Sequence, residues 1–213
     1  MNTLLHGRAT SSNVQIVAWA LTELGLSYER LDVGGAFGGN TTPEFKALNP
    51  NGLVPVLEID GLTLWESGAI TRYLGARYGD EAFWPADPAV RAPVDKWAEW
   101  IKTTFVPAFL GGVFWPIIST KPGQPLPDSF AAAAAKLKQV AAILETGMPE
   151  DGFFGGDTVC WADMVIGTYL FRYFDLDFDR AETPKLRAYY DRLTGRPAYA
   201  EHVMVNYDSL RAK

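Results

Sequence analysis

The sequence predicts an α/β domain over 1–80 with the element order βαβαββα, a linker over 81–88, and an all-α domain over 89–213. Three observations predict it. From Thr3 to about Tyr78 short strand-like runs alternate with helical ones. Between Gly79 and Pro93 the chain changes character, with Trp84-Pro85, Asp87-Pro88 and Pro93 as punctuation. Beyond that stretch no strand pattern competes with helix.

Thr3 to His6 and Tyr28 to Val33 read as strands. Between them, Asn13 to Leu24 places Val14, Val17, Ala18, Leu21 and Leu24 at helical spacing, and Gly25 supplies the stop. A glycine-rich stretch, Gly34 to Gly39, precedes a short helical candidate from Pro43 to Leu48. Val54 to Trp65 reads as two strands joined at Asp60-Gly61, a strong hairpin signal. Glu66 to Tyr78 then reads as helix. This order, βαβ followed by ββα, is the one thioredoxin-like folds use. In the second domain the helical candidates are Val90 to Leu110, Ser129 to Glu145, Cys160 to Phe174, Pro184 to Leu193 and Pro197 to Asn206.

With 213 residues, 48% of them hydrophobic, the chain can bury a substantial core. A formal net charge of -6 with scattered basic residues argues against nucleic acid and anionic membranes as partners. No stretch approaches the roughly 18 consecutive apolar residues of a membrane span, and the N-terminus does not read as a secretory signal, so the cytoplasm is the expected location. The lone Cys160 cannot form an internal disulfide. His6 and His202 are too far apart in sequence to suggest a metal cluster, so no metal is expected.

Val54-Pro55-Val56 puts a proline at the entry to an apolar strand, where it cannot donate a ladder hydrogen bond. It reads either as a strand-entry turn or as a cis bond that turns the backbone of Val54 outward to pair with an extended peptide. Glu66-Ser67 opens a helix directly after a strand, so unpaired N–H groups and the positive dipole end face outward. The pair is either an ordinary cap or a site for an α-amino acid head group, with Ser67 on the carboxylate and Glu66 on the ammonium. The presence of both features in one unit favours the peptide-binding reading.

The runs Asn49-Pro50-Asn51-Gly52-Leu53-Val54-Pro55-Val56-Leu57 and Leu64-Trp65-Glu66-Ser67-Gly68-Ala69-Ile70-Thr71-Arg72-Tyr73-Leu74 resemble the glutathione-binding core of the soluble (cytosolic) glutathione transferase superfamily. The resemblance extends to Phe153-Phe154-Gly155-Gly156-Asp157 and Ala162-Asp163, similar to the family's helix-capping segment. It implies a glutathione transferase of detoxification type that activates the glutathione thiol for attack on a small hydrophobic electrophile, without a metal, as a homodimer. Glutathione-dependent disulfide reduction or isomerisation, or a non-catalytic glutathione-binding module, are the alternatives on the same fold. By resemblance Val54, at the cis-proline Pro55, pairs with the cysteinyl backbone of glutathione, and Glu66 and Ser67 hold its γ-glutamyl end. Asn40 is a candidate for the glycyl end. Leu53 stands where relatives often carry a cation.

The thiol needs a hydroxyl or amide donor on its sulfur to populate the nucleophilic thiolate. Thr10, Ser11, Ser12 and Asn13 lie at the start of the first helix, where the dipole also favours an anion. Each is also a candidate N-cap. Ser11 matches the serine of bacterial theta-like and delta-like transferases, with Ser12 and Asn13 as neighbouring candidates. No tyrosine or cysteine occupies this stretch, which argues against the tyrosine-dependent and protein-thiol classes.

Phe105, Phe109, Phe114 and Trp115 cluster near Pro107 and Pro116 and read either as an apolar substrate pocket or as core. Trp97 and Trp100 read as core or interface. Asp163 is expected to be structural, three residues after Cys160, which replaces the usual Ser or Thr of a capping box with a poorer acceptor.

Overall fold

The computed structural model describes residues 3–213; Met1 and Asn2, which open the predicted first domain, lie outside the described residues. Four strands form one mixed sheet: β1 (Leu4–His6), β2 (Glu29–Leu31), β3 (Val56–Ile59) and β4 (Leu62–Trp65), in the order β2-β1-β3-β4. β1 pairs parallel to β2 and antiparallel to β3, with His6 opposite Val56 at the end of the ladder. The βαβ crossover makes the first pairing parallel, and the hairpin makes the last antiparallel. Asp60 and Gly61 both have positive φ, 54° and 80°, the turn an Asp-Gly pair favours.

Helices α1 (Ser12–Glu23), α2 (Pro43–Leu48) and α3 (Ser67–Tyr78) complete the first unit. Nine of the twelve residues of α1 are buried, because the helix lies between the sheet and the second unit. Trp19 is fully buried and edge-on to Tyr199, 4.9 Å between centroids.

The second unit is helical: α4 (Pro88–Ser119), α5 (Phe130–Thr146), α6 (Trp161–Asp175), α7 (Pro184–Thr194) and α8 (Pro197–His202). α6 is its central helix, packed on α1, α3, α4 and α7. A Cβ at Gly167 of α6 would stand 3.2 Å from the Trp19 ring and 2.6 Å from Leu193, so glycine permits the close approach of the two units.

α4 corrects the sequence reading. The predicted helix ended at Leu110, yet the helix continues through glycines 111–112 and Pro116 to Ser119. It does so by widening into π-helical turns over Ile101–Phe105 and Pro107–Phe114. Longer i→i+5 turns accommodate residues that interrupt the ordinary ladder, Pro107 among them. The helix is long and apolar enough to cross a membrane by length and composition, but Ile101, Phe105, Phe109, Val113 and Phe114 all point into the core. At the other end of the chain α8 stops at His202 rather than continuing to Asn206. Trp97 packs against Gly147 just beyond α5, where a Cβ would stand 2.2 Å from its ring, and meets Trp100 edge-on.

Candidate active site

Two chain segments and two helix starts frame the site. The loop before β3 is braced by Asn49, buried, whose Nδ2 donates to Leu53 O at 2.8 Å and whose Oδ1 accepts from Asn51 N–H at 3.1 Å. The Val54–Pro55 peptide bond that follows is cis. Val54 lies beyond the last β1–β3 pair, so its backbone is outside the ladder. Asn40 donates from Nδ2 to Gly52 O at 2.8 Å and thereby braces the same loop.

α3 begins at the other side. Glu66 is exposed, precedes the helix with φ 69° and ψ 106°, and makes no capping hydrogen bond with its side chain. A non-glycine residue in that region costs about 1–3 kcal/mol, which the surrounding structure must offset. Ser67, 1% exposed, follows as the first helical residue.

Ser67 is the centre of a chain of hydrogen bonds that joins both units. Lys102 Nζ donates to Ser67 Oγ at 2.9 Å, Ser67 Oγ donates to Asn13 Oδ1 at 2.9 Å, and Tyr169 donates to the same Asn13 oxygen at 3.2 Å. An ammonium can only donate, so the direction of each bond is determined. Burial pushes the Tyr169 hydroxyl up, which keeps it a donor. The carbonyl side of the Asn13 amide is therefore fully engaged, and among the described residues its NH2 side has no hydrogen-bond partner. Burial lowers the Lys102 ammonium, while the carboxylates of Glu66 and Glu99 hold it up. Neighbouring Arg72 is neutralised by Asp95 at 2.6 Å and by Glu99, and its Nη1 donates to Gly68 O at 3.1 Å.

At the start of α1 the other candidates separate. Ser11 is the N-cap residue, in extended conformation, half-buried, and its side chain makes no capping bond. Ser12 is buried and its Oγ has no hydrogen-bond partner among the described residues. Thr10 is engaged: Arg8 Nη1 donates to its hydroxyl at 3.0 Å and Arg172 Nη2 to its carbonyl at 2.6 Å. Ser11, Ser12 and Asn13 thus all open one helix, and Asn13 is tied to Ser67 across the site.

The four aromatics divide. Phe105, Phe109 and Phe114 have no solvent exposure and pack on Tyr173 and Tyr207, so they form core and line no open pocket. The helical continuation of α4 turns them inward, where a buried aromatic stabilises more than an exposed one. Trp115 stands at the surface, 40% exposed. Sequence reasoning missed Lys102, Tyr169 and Arg172. The available signal was a lone cation inside an apolar helical run, since such charges are rarely buried without a polar partner.

Cys160 and Asp163 open α6. The Asp163 carboxylate accepts from Cys160 N–H at 2.7 Å, Phe154 N–H at 3.1 Å and the Tyr189 hydroxyl at 2.6 Å. Burial pushes the Asp163 carboxyl up, with these donors opposing, and burial pushes the Cys160 thiol up strongly. Among the described residues, no three His, Cys, Asp or Glu side chains come together as a metal site.

A thioredoxin-like sheet unit, with a cis-proline facing an uncapped helix start and a helical unit packed behind it, is the architecture of glutathione transferases. The family model "Glutathione S-transferase, N-terminal domain" matches residues 2–76, and "Glutathione S-transferase, C-terminal domain" matches residues 127–192. Glutathione S-transferase GstB of Escherichia coli strain K12 is 36% identical over 203 residues, covering 94% of this chain and 97% of that protein. The crystal structure of the theta class glutathione S-transferase from Xanthomonas axonopodis pv. citri with glutathione bound matches with a TM-score of 0.88 at 38% identity, over 96% of this chain and 98% of that one. A delta-class glutathione transferase of Nilaparvata lugens matches with a TM-score of 0.81 at 25% identity, over 94% and 92% of the two chains. The chain belongs to the glutathione S-transferase family.

Proposed function

We propose that the protein is a glutathione S-transferase in which α3 receives the γ-glutamyl end of glutathione and the start of α1 receives its sulfur. The observation that carries this reading is the open start of α3, where Ser67 Oγ lies 2.9 Å from the Lys102 ammonium and exposed Glu66 has no capping bond to make. An α-amino acid head group fits there: its carboxylate meets Ser67, the first N–H groups of the helix and Lys102, and its ammonium meets Glu66. The cysteinyl backbone then pairs with Val54, outside the sheet ladder beside cis Pro55.

This anchoring directs the thiol towards Ser11, Ser12 and Asn13. Ser11, our choice for the principal donor, has a hydroxyl uncommitted to capping, and the Asn13 NH2 group supplies a second donor because its carbonyl is locked by Ser67 and Tyr169. Donors at a helix start favour thiolate over thiol, and the thiolate is the nucleophile. Approximation and a lowered thiol pKa then account for rate enhancement on a hydrophobic electrophile. We place the enzyme in the cytoplasm as a homodimer, the usual state of the family. Exposed Leu62 and Trp65 on the edge strand β4 offer apolar area for such an interface.

Calorimetric titration with reduced glutathione tests this reading. Saturable binding at one glutathione per chain is expected, with Ser67→Ala weakening it about tenfold or more, since a buried hydroxyl on a charged ligand contributes about 1.5–3 kcal/mol. No heat at millimolar glutathione at two temperatures would overturn it.

A further inference from the structure

A cavity of about 350 Å³ is lined by Arg8, Ala9 and Thr10 of the β1–α1 loop, the residues immediately before Ser11, and falls within the size range of small-molecule sites. Its walls are largely apolar and include Ala9, Phe37, which is 61% exposed, and Leu210 near the C-terminus. Its floor carries charge. Arg30 at one end is neutralised by Asp32, but Arg8 forms no ion pair among the described residues; its hydrogen bond goes to the neutral Thr10 hydroxyl. Space is reserved for this guanidinium: Gly35, at φ 59°, would place a Cβ 2.6 Å from Arg8 Nε, so a side chain there would displace it.

A second cation, buried outside the cavity lining, converges on Thr10. Arg172 of α6 is 3% exposed, donates to the carbonyl of Thr10 at 2.6 Å, lies over the Phe114 and Tyr207 rings, and its Nε has no hydrogen-bond partner among the described residues. No carboxylate pairs with it among the described residues. Burial, and secondarily the nearby charge of Arg8, lower Arg172 to about 10. Thr10 thus holds two arginines on a chain whose net charge is -6, where acidic partners are otherwise abundant.

From this arrangement we infer that the cleft takes an electrophile bearing an anionic group, such as a carboxylate or sulfonate, with Arg8 as the partner of that group and Phe37 and Leu210 against its apolar body. The inference rests on the transferase reading and names the substrate class of that site. In a substitution on an activated aryl chloride, the glutathione sulfur gives its electron pair to the chlorine-bearing carbon, the C–S bond forms, and chloride leaves with the C–Cl pair. The thiol proton passes to solvent when the thiolate forms.

The test compares chlorodinitrobenzene with its carboxylate analogue, chlorodinitrobenzoate, as electrophiles for the wild type, Arg8→Gln and Arg8→Lys. The readout is the ratio of kcat/KM for the anionic to the neutral substrate. Arg8→Gln should lower this ratio about tenfold, Arg8→Lys should retain most of it, and added salt should lower it in the wild type, as a partly buried charge pair requires. An unchanged ratio in Arg8→Gln overturns the proposal. So does a rise in KM for glutathione with both electrophiles slowed alike, which would assign Arg8 to the glycyl carboxylate of glutathione. Should Arg8→Gln not fold, salt-sensitive competition by naphthalenesulfonate against the neutral electrophile in the wild type supports the proposal, and salt-insensitive competition or none overturns it. A wild type that conjugates neither substrate though it binds glutathione removes the transferase reading itself, a distinct result.

Discussion

Two helix starts, those of α3 and α6, face opposite demands. α3 follows a strand and α6 an irregular segment, and both lie where the two units meet. At α6 the chain satisfies itself: Asp163 reaches back to the Cys160 N–H, takes a further N–H from Phe154 and a hydroxyl from Tyr189, and is fully buried. At α3 it does not: Glu66 is exposed, sits at φ 69°, and caps nothing, while Ser67 beside it is approached by a lysine. A helix start whose orphan N–H groups are filled from within is a structural joint. One left open, with strain and a nearby cation, leaves N–H donors available to an anion, which is the role we propose for it.

The comparison breaks most visibly at Asp163. Asp163→Ala strands two backbone donors and a buried tyrosine hydroxyl, and should cost about 3–5 kcal/mol in urea unfolding at neutral pH, given about 1–3 kcal/mol for each unsatisfied group. The same experiment at α3 should read out in binding rather than stability. Lys102→Met should weaken glutathione about tenfold by calorimetry while the unfolding midpoint moves little, because the methionine keeps the packing of the lysine stem. Glu66→Gly should raise stability by about 0.5–1 kcal/mol through relief of positive φ and abolish measurable glutathione binding, separating strain from function in one variant. Cys160→Ser should change unfolding by less than about 0.5 kcal/mol, on the stabilising side, since a hydroxyl accepts the N3 amide better than a thiol does. A large loss there would show that packing of the sulfur outweighs the cap.

The fold was legible because its signals are local. Asn13 to Leu24 carries a helical period, Asp60-Gly61 a turn with two positive φ values, and Glu66-Ser67 a helix start directly after a strand. Each depends on neighbours within a few residues, and the strands, the hairpin and the helices of the first unit stand where those signals put them. The extent of α4 was not legible, because proline and glycine pairs read as breaks in any local window, whereas π-helical turns and the burial of Phe105, Phe109 and Phe114 carry the helix through.

The candidate site divides along the same line. Sequence alone determined the features that follow from backbone geometry: the turn at Val54-Pro55, the helix start at Glu66-Ser67, and the Asp163 carboxylate three residues after its N-cap. Tertiary structure alone decided what is brought to them from a distance: Lys102 to Ser67, Tyr169 to Asn13, and Arg172 to Thr10 across 162 positions of chain. The physical reason is range. Capping, turns and helical period are properties of adjacent peptide units, while the placement of a lone buried cation depends on which helix the core draws against which.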